Sequence, residues 1–462
     1  MVVRSRRLLV IACLLLINTN SFSSTAVKSQ AQLAYLDLLL GHTSRAYQRI
    51  PKKTGSNKDQ QSQQTLAFAN QMRKYGQNKM AIAALELFLS DVVETKASNH
   101  YWLNYAEYFL ELGSVASAEK CLSRLTKPVH KKIRARYHRV TADIALYKLN
   151  IDQVEHILSS KWKGRHSHKP YTRLNLATAY AYKGNFAAAH ASVSQLSKDL
   201  PEEVNTEERE ALVEAALTRI GFAYLAFGNL AKAKAFLSKV PIKSIYAQRA
   251  TLGLAWAEIG QGQYAEALSP LIHLIDNTQD HQIEKQEAYS LLALVASKQK
   301  KYGKAISLYS QSKESYVQEI NALKRDSIPI YSGKTIELLA TRTIRENNDT
   351  DLSDIHEILG QKLHYYLHDL LEKSSTKVLI NAYRQQSLLL QGLSDLSRTV
   401  KISNNDYWRY QQILKENILK HKGRLTQLFS AEIEGHIARL EDMISHNDFS
   451  TGLMYEKLGR SH

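Results

Sequence analysis

The sequence predicts an all-α chain: an α-solenoid of about eight helical hairpins, followed by a C-terminal helical bundle with coiled-coil character. Three observations carry this. Gly and Pro number only 19 and 7 in 462 residues, where average usage would supply about 55, so turns are scarce and long helices are favoured. Small residues recur in pairs twelve positions apart, at a period of about 36 residues. Beyond residue 330 that spacing stops and an apolar stripe stepping by three and four takes over. With 44% hydrophobic and 23% charged residues the chain can bury real cores, which excludes a disordered, collagen-like or Pro-rich linker protein.

The first element reads as a secretory leader. Arg4, Arg6 and Arg7 precede an apolar run from Leu8 to Ile17, and small polar residues follow. Ten apolar residues make a helix of about 15 Å, half the hydrocarbon core, so a retained membrane anchor is disfavoured. Ser24 and Ala26 place cleavage after Ala26, giving a signal peptide over 1–26 and a periplasmic or secreted chain. Lipidation at Cys13 is the lesser alternative, because only about five apolar residues precede it and the run continues beyond it. Cys121 is then the only cysteine left, so no intramolecular disulfide can form. The formal charge of +17 keeps most of its excess once the leader arginines are removed, which points to an anionic partner or surface.

Residues 27–330 hold the repeats. The paired small positions are Ala34 and Ala46, Ala69 and Ala81, Ala106 and Ala118, Ala142 and Val154, Ala177 and Ala189, Gly221 and Ala233, Ala255 and Ala267, and Ala293 and Ala305. Only Val154 is neither Ala nor Gly. Successive pairs are 35, 37, 36, 35, 44, 34 and 38 residues apart, and the long step holds the acidic insertion Asp199 to Glu210. Small residues at a crossing let two antiparallel helices approach at the short end of the usual 8 to 10 Å. Between the paired positions stand Gly41, Gly76, Gly113, Gly184, Gly228 and Gly262, suited to the left-handed turn that ends a helix. Leu149 and Lys300 stand where two further pairs would have that glycine.

These units resemble tetratricopeptide repeats, and the whole is similar to an exported bacterial protein of that class. Trp102, Ala106, Phe109, Gly113, Ala118 and Pro128 form the best single match. Asn185 and Phe186 with Ala189, and Gln263 and Tyr264 with Ala267, come next. The resemblance covers roughly residues 30 to 315. It implies a groove lined by the first helix of each hairpin. Its groove-facing offsets fall on Arg136, Arg139, Asp143 and Tyr147 in the fourth unit, and on Tyr171, Thr178 and Tyr182 in the fifth. Phe222 follows in the sixth, and Arg249 and Trp256 in the seventh.

Residues 331–462 form the C-terminal helical region. Leu379, Ala382, Gln386, Leu389, Leu393, Leu396 and Val400 make a heptad-like stripe, preceded by a helix through Leu352, Ile355, Leu359, Tyr366 and Leu370. Leu414, Ile418, Leu425, Leu428, Ile433, Ile437, Leu440 and Ile444 indicate a long helix after it. An antiparallel bundle is the simplest arrangement, and oligomerisation through these helices is its alternative. Arg345 to Asp351 is the expected boundary loop.

The search for catalytic spacings gives nothing that stands. Gly260 to Ala265 matches a dinucleotide-binding pattern, but no strand precedes it and it sits on a repeat's turn. His166 and His168 lack a third ligand, and His356-Glu357 lacks the second histidine of a zinc-protease helix. Cys121 beside Leu122 reads as a small core hydrophobe. No enzyme activity, cofactor or metal is expected. Residues 117 to 173 contain fourteen Lys/Arg and four Asp/Glu, so the expected groove joins arginine forks to aromatic walls. The expectation is a non-enzymatic envelope scaffold that holds a protein or peptide partner with anionic character. The alternative is an anionic envelope polysaccharide or lipid headgroup; nucleic acid is disfavoured by export.

Overall fold

Eight left-handed turns organise the chain. The structure, a computed structural model, describes residues 21–51, 58–89, 95–160, 169–199, 206–279, 282–341 and 353–460. The charged and apolar parts of the expected leader with Cys13, the histidines His166 and His168, and the stretch Arg345 to Asp351 lie outside these residues. Every regular element among the described residues is helical. The hairpins are α1 (Ser21–Leu39) with α2 (Thr43–Gln48), α3 (Lys58–Lys74) with α4 (Asn78–Leu89), and α5 (Thr95–Glu111) with α6 (Val115–Ser123). Then come α7 (Arg134–Tyr147) with α8 (Ile151–Ser159), α9 (Lys169–Tyr182) with α10 (Phe186–Asp199), and α11 (Thr206–Ala226) with α12 (Leu230–Leu237). The last two are α13 (Ala247–Gly260) with α14 (Leu268–Asn277), and α15 (Ile283–Lys298) with α16 (Tyr302–Asp326).

Each first helix ends in the same way. The six turn glycines have φ between 68° and 79°, and Leu149 and Lys300 adopt the same left-handed conformation at φ 56° and 61°. The following N–H then bonds back five residues: His42 to Asp37, Ser114 to Phe109, Asn150 to Ala145, Lys301 to Ala296 and their equivalents, at 2.7–2.9 Å. This closes the Schellman motif and satisfies carbonyls the helix leaves unpaired. In three hairpins an asparagine comes next and caps the second helix, with Asn150, Asn185 and Asn229 accepting the N–H three residues on at 3.2–3.3 Å.

All sixteen paired positions are buried. At Gly221 the closeness is explicit: a Cβ there would stand 2.5 Å from Leu237 Cγ on the antiparallel helix. The seventh hairpin differs from the two before it, whose second helices begin two residues after the turn glycine. Its second helix begins only at Leu268, after Ala267, instead of near Tyr264. Pro270 is the reason, because in a helix begun at Tyr264 it would lack an N–H and clash with a carbonyl one turn back, whereas from Leu268 it sits in the tolerant first turn.

Consecutive hairpins share cores. One cluster runs from Ala145 and Val154 through Leu176, Tyr180 and Tyr224 to Ala257, and a second joins Leu252, Ile259, Leu271, Leu274, Leu291 and Val295. The chain falls into two compact units. The first comprises Met1–Thr126, Ile330–Ile358 and Asp369–Leu428; the second comprises Lys127–Pro329, Leu359–His368 and Phe429–His462. Hairpins one to three thus belong to the first and four to eight to the second.

The remaining helices are α17 (Ile328–Tyr331), α18 (Lys334–Thr341), α19 (Ser353–Glu372), α20 (Ser374–Gln391), α21 (Leu393–Val400) and α22 (Asn404–Gly459). The heptad-like stripe lies on α20 and α21, where Leu379, Gln386, Leu389, Leu393 and Leu396 are buried. Gly360, with φ 71° and ψ 167°, interrupts α19 and was not anticipated from its apolar spacing.

Two stability outcomes follow from this construction. Ala118→Leu and Ala189→Leu should each destabilise the chain by about 1–3 kcal/mol in denaturant titration, through overpacking at a crossing, while Ala187→Leu on an exposed face of α10 stays within about 0.5 kcal/mol. Leu149→Gly should raise stability by about 1 kcal/mol by removing the left-handed strain at that turn, read as an upward shift of the melting midpoint.

Candidate functional site

The sequence-derived contact residues lie on four successive first helices of the second unit, not in one cluster. On α7, Arg136, Arg139 and Asp143 are half-buried and Tyr147 is 68% exposed. Burial pushes the Asp143 carboxyl up to about 6, and the Arg139 charge one turn away pulls it partly back. On α9, Tyr171 and Tyr182 are 40% and 60% exposed, and Thr178 donates to the Leu174 carbonyl at 2.8 Å. Phe222 on α11 is half-buried, and Trp256 on α13 is 40% exposed.

Rungs between neighbouring first helices tie this face together. The Tyr171 hydroxyl donates to Glu208 of α11, and that bond raises the phenol to about 12. Arg219 of α11 donates to Thr178 at 3.5 Å. The Arg249 guanidinium of α13 lies 5.3 Å from the Phe222 ring centre, a cation–π contact. The Trp256 indole of α13 acts on the Glu287 carboxylate of α15, favouring its charged form. Glu287 is raised by burial and by Glu284, with Trp256 and Arg249 acting against that. Phe222 and Arg249 are predicted residues from different helices that the structure brings into direct contact. Glu208, Arg219 and Glu287 are the partners sequence reasoning missed. Glu287 was within reach, since it stands six residues before Ala293, the same offset as Arg249 from Ala255.

The chain's own C-terminal helices take other positions of the equivalent face. In the second unit Ser290, three before Ala293, bonds to Tyr316 at 2.6 Å and to Asn447 of α22 at 3.2 Å. The Tyr365 hydroxyl of α19 accepts the Ile283 N–H at 3.1 Å, at the start of α15. Buried Glu319 accepts from Tyr366 at 3.1 Å and Lys362 at 3.0 Å. Met454 completes an apolar cluster with Ala293, Ala296, Ala305 and Tyr309.

Within the first unit, Tyr35, one after Ala34, accepts from Gln386 at 2.7 Å. Buried Asp37 accepts from Arg49 at 2.5 Å and from Tyr410 at 2.7 Å. Asn381 and Ser374 donate to the terminal carbonyls of α3 and α5, at Lys74 and Glu111. Exposed aromatics on the repeat face therefore concentrate on hairpins four, five and seven.

Other candidate chemistry is muted. Cys121 is buried and its thiol is pushed up to about 12, chiefly by burial, which makes it a core side chain and a poor nucleophile. Among the described residues no group of three His, Cys, Asp or Glu could hold a metal ion, and no helix is long and apolar enough to cross a membrane. Gly260 to Ala265 is the seventh hairpin's turn, with Gly262 left-handed at φ 76°.

No family model matches the chain, and no curated protein matches it significantly. Among solved structures, the crystal structure of the P58(IPK) TPR domain aligns with 83% of this chain and 98% of its own length, at 12% identity and a TM-score of 0.20. The repeat assignment rests on the hairpins themselves: paired small crossings, left-handed turns and shared cores make them tetratricopeptide-like.

The Asp143 environment yields a pH signature. Its carboxyl is raised from 3.8 to about 6 in the folded chain, so the folded state holds the proton over that window and loses stability as pH rises through it. Asp143→Asn should remove about 2 kcal/mol of that decline between pH 4 and 6, measured as the pH dependence of the denaturation midpoint.

Proposed function

We propose that this chain is a non-enzymatic scaffold of the bacterial envelope, exported by its leader, that holds an extended or helical segment of a partner protein on the shared face of α7, α9, α11 and α13. The observation that supports it most is the set of large aromatics left open on that face. Tyr147, Tyr171, Tyr182 and Trp256 are 40–68% exposed, whereas other repeat-face positions such as Ser290 and Tyr35 are engaged by the chain's own helices. Tyrosine and tryptophan provide large contact area at low entropic cost, which suits them as anchors. Arg136, Arg139 and Arg249 alternate with them and favour a partner with carboxylates, which guanidinium forks bind bidentately.

The carboxylates Asp143, Glu208 and Glu287 beside these arginines moderate the field of the face. That favours a mixed peptide over a uniform polyanion such as an acidic polysaccharide. The test is affinity capture from an envelope extract, followed by titration of the captured protein. Tyr147→Ser with Tyr182→Ser should weaken that binding at least tenfold with an unchanged melting midpoint. Undiminished binding by the double variant would remove this face from the account, and a steep loss of binding between low and moderate salt would favour the polyanion reading.

A further inference from the structure

Helix α7 presents two chemically different faces. Arg136, Arg139, Asp143 and Tyr147 share the face described above. Arg134, Tyr137 and His138 lie on another, since positions 136 and 138 are separated by about 200° around a helix. This second face borders a cleft of about 600 Å³, lined by Lys127, Pro128, Val129, Arg134, Tyr137 and His138, all within the second unit. That volume is in the range of small-molecule sites.

The charge in the cleft is one-sided. Residues 127 to 139 contain six Lys/Arg, two His and no Asp or Glu. None of the lining residues is acidic. Burial and then the neighbouring Arg134 charge hold His138 below its ordinary value, with no carboxylate acting the other way. Arg134 is anchored by one bond, to the Val129 carbonyl at 3.3 Å, which orients a fork that carries five N–H donors. Pro128, Val129 and the Tyr137 ring supply an apolar wall beside these cations.

We infer that this cleft binds a phosphate monoester attached to an apolar or ring-bearing group, a site separate from the partner-binding face. Lys127 and Arg134 are two permanent cations in one cleft; a dianionic phosphoryl group matches both, whereas a single carboxylate leaves one uncompensated. His138 also lines the cleft, and the apolar wall takes the organic portion. The same chemistry is offered by a soluble phosphorylated metabolite and by a lipid whose headgroup is a bare phosphate.

The full chain is titrated with phenyl phosphate and with benzoate by calorimetry, and sedimented with phosphatidylcholine vesicles carrying or lacking phosphatidic acid. Phenyl phosphate should bind at least tenfold more tightly than benzoate. Arg134→Gln and Lys127→Gln should each weaken it at least tenfold, while Lys183→Gln at an exposed position leaves it unchanged. Binding of phenyl phosphate without co-sedimentation identifies the soluble source; co-sedimentation that requires phosphatidic acid and Arg134 identifies the headgroup. The inference is overturned if benzoate binds equally well, if Lys127→Gln, whose residue lies outside α7, leaves binding intact, or if neither phosphate source binds.

Discussion

The whole structure depends on how closely two antiparallel helices can approach within each hairpin. Alanine or glycine at fifteen of the sixteen crossing positions allows contact near the lower limit of helix spacing, and at Gly221 there is no room for even a methyl group. Once the pair is that close, large residues can only face outward to the next pair. Tyr180, Ile220 and Tyr224 do this, and one core runs continuously across several hairpins. The left-handed turn fixes the second half of the constraint. It reverses the chain in two or three residues while satisfying the carbonyls at the end of the first helix, so the crossings of the two helices stay in register. Because each hairpin is built alike, the first helices of the second unit present a common face, and the rungs Tyr171–Glu208, Phe222–Arg249 and Trp256–Glu287 follow from that alignment.

The C-terminal helices are joined to each unit by polar side chains as well as apolar ones. In the first unit the buried residues bond in two pairs, Gln386 to Tyr35 and Tyr410 to Asp37; in the second, Glu319, Gln286, Ser312 and Asn447 play the corresponding part. Buried polar groups are costly unless paired, so such contacts tolerate only one register of docking. Apolar packing alone, as at Met454, would accept neighbouring registers more easily. Functional consequences follow directly. Where a C-terminal helix is docked, repeat-face positions such as Ser290 and Tyr35 are already engaged, and the aromatic residues left open are those the proposed function assigns to a partner.

Local regularities were legible in the sequence, and contacts between distant segments were not. Ala34 to Ala305 disclosed eight hairpins because close crossing leaves its signature at fixed spacing. Leu149 and Lys300 could be placed at turns by register alone, and both adopt the left-handed conformation that glycine takes elsewhere. The late start of α14 leaves no mark on the repeat register, because it depends on Pro270, a single residue with a decisive steric effect. Gly360 escaped notice because its apolar neighbours keep helical spacing through the break. For the site, offsets found the rows but not the rungs: Glu208 lies in a long insertion-bearing step, and pairing of Asp37 with Tyr410 across 373 residues leaves no periodic trace. The cleft beside Lys127 and Arg134 was likewise invisible as a shape, although its basic composition could be read.

The most direct test of the close-crossing account is a crystal structure of the chain. It should show the sixteen small positions sealed between antiparallel helices of eight successive hairpins, with residues 149 and 300 left-handed. Strand structure in those segments, or alanines 106, 177 and 255 turned to solvent with large residues at the crossings, would contradict it.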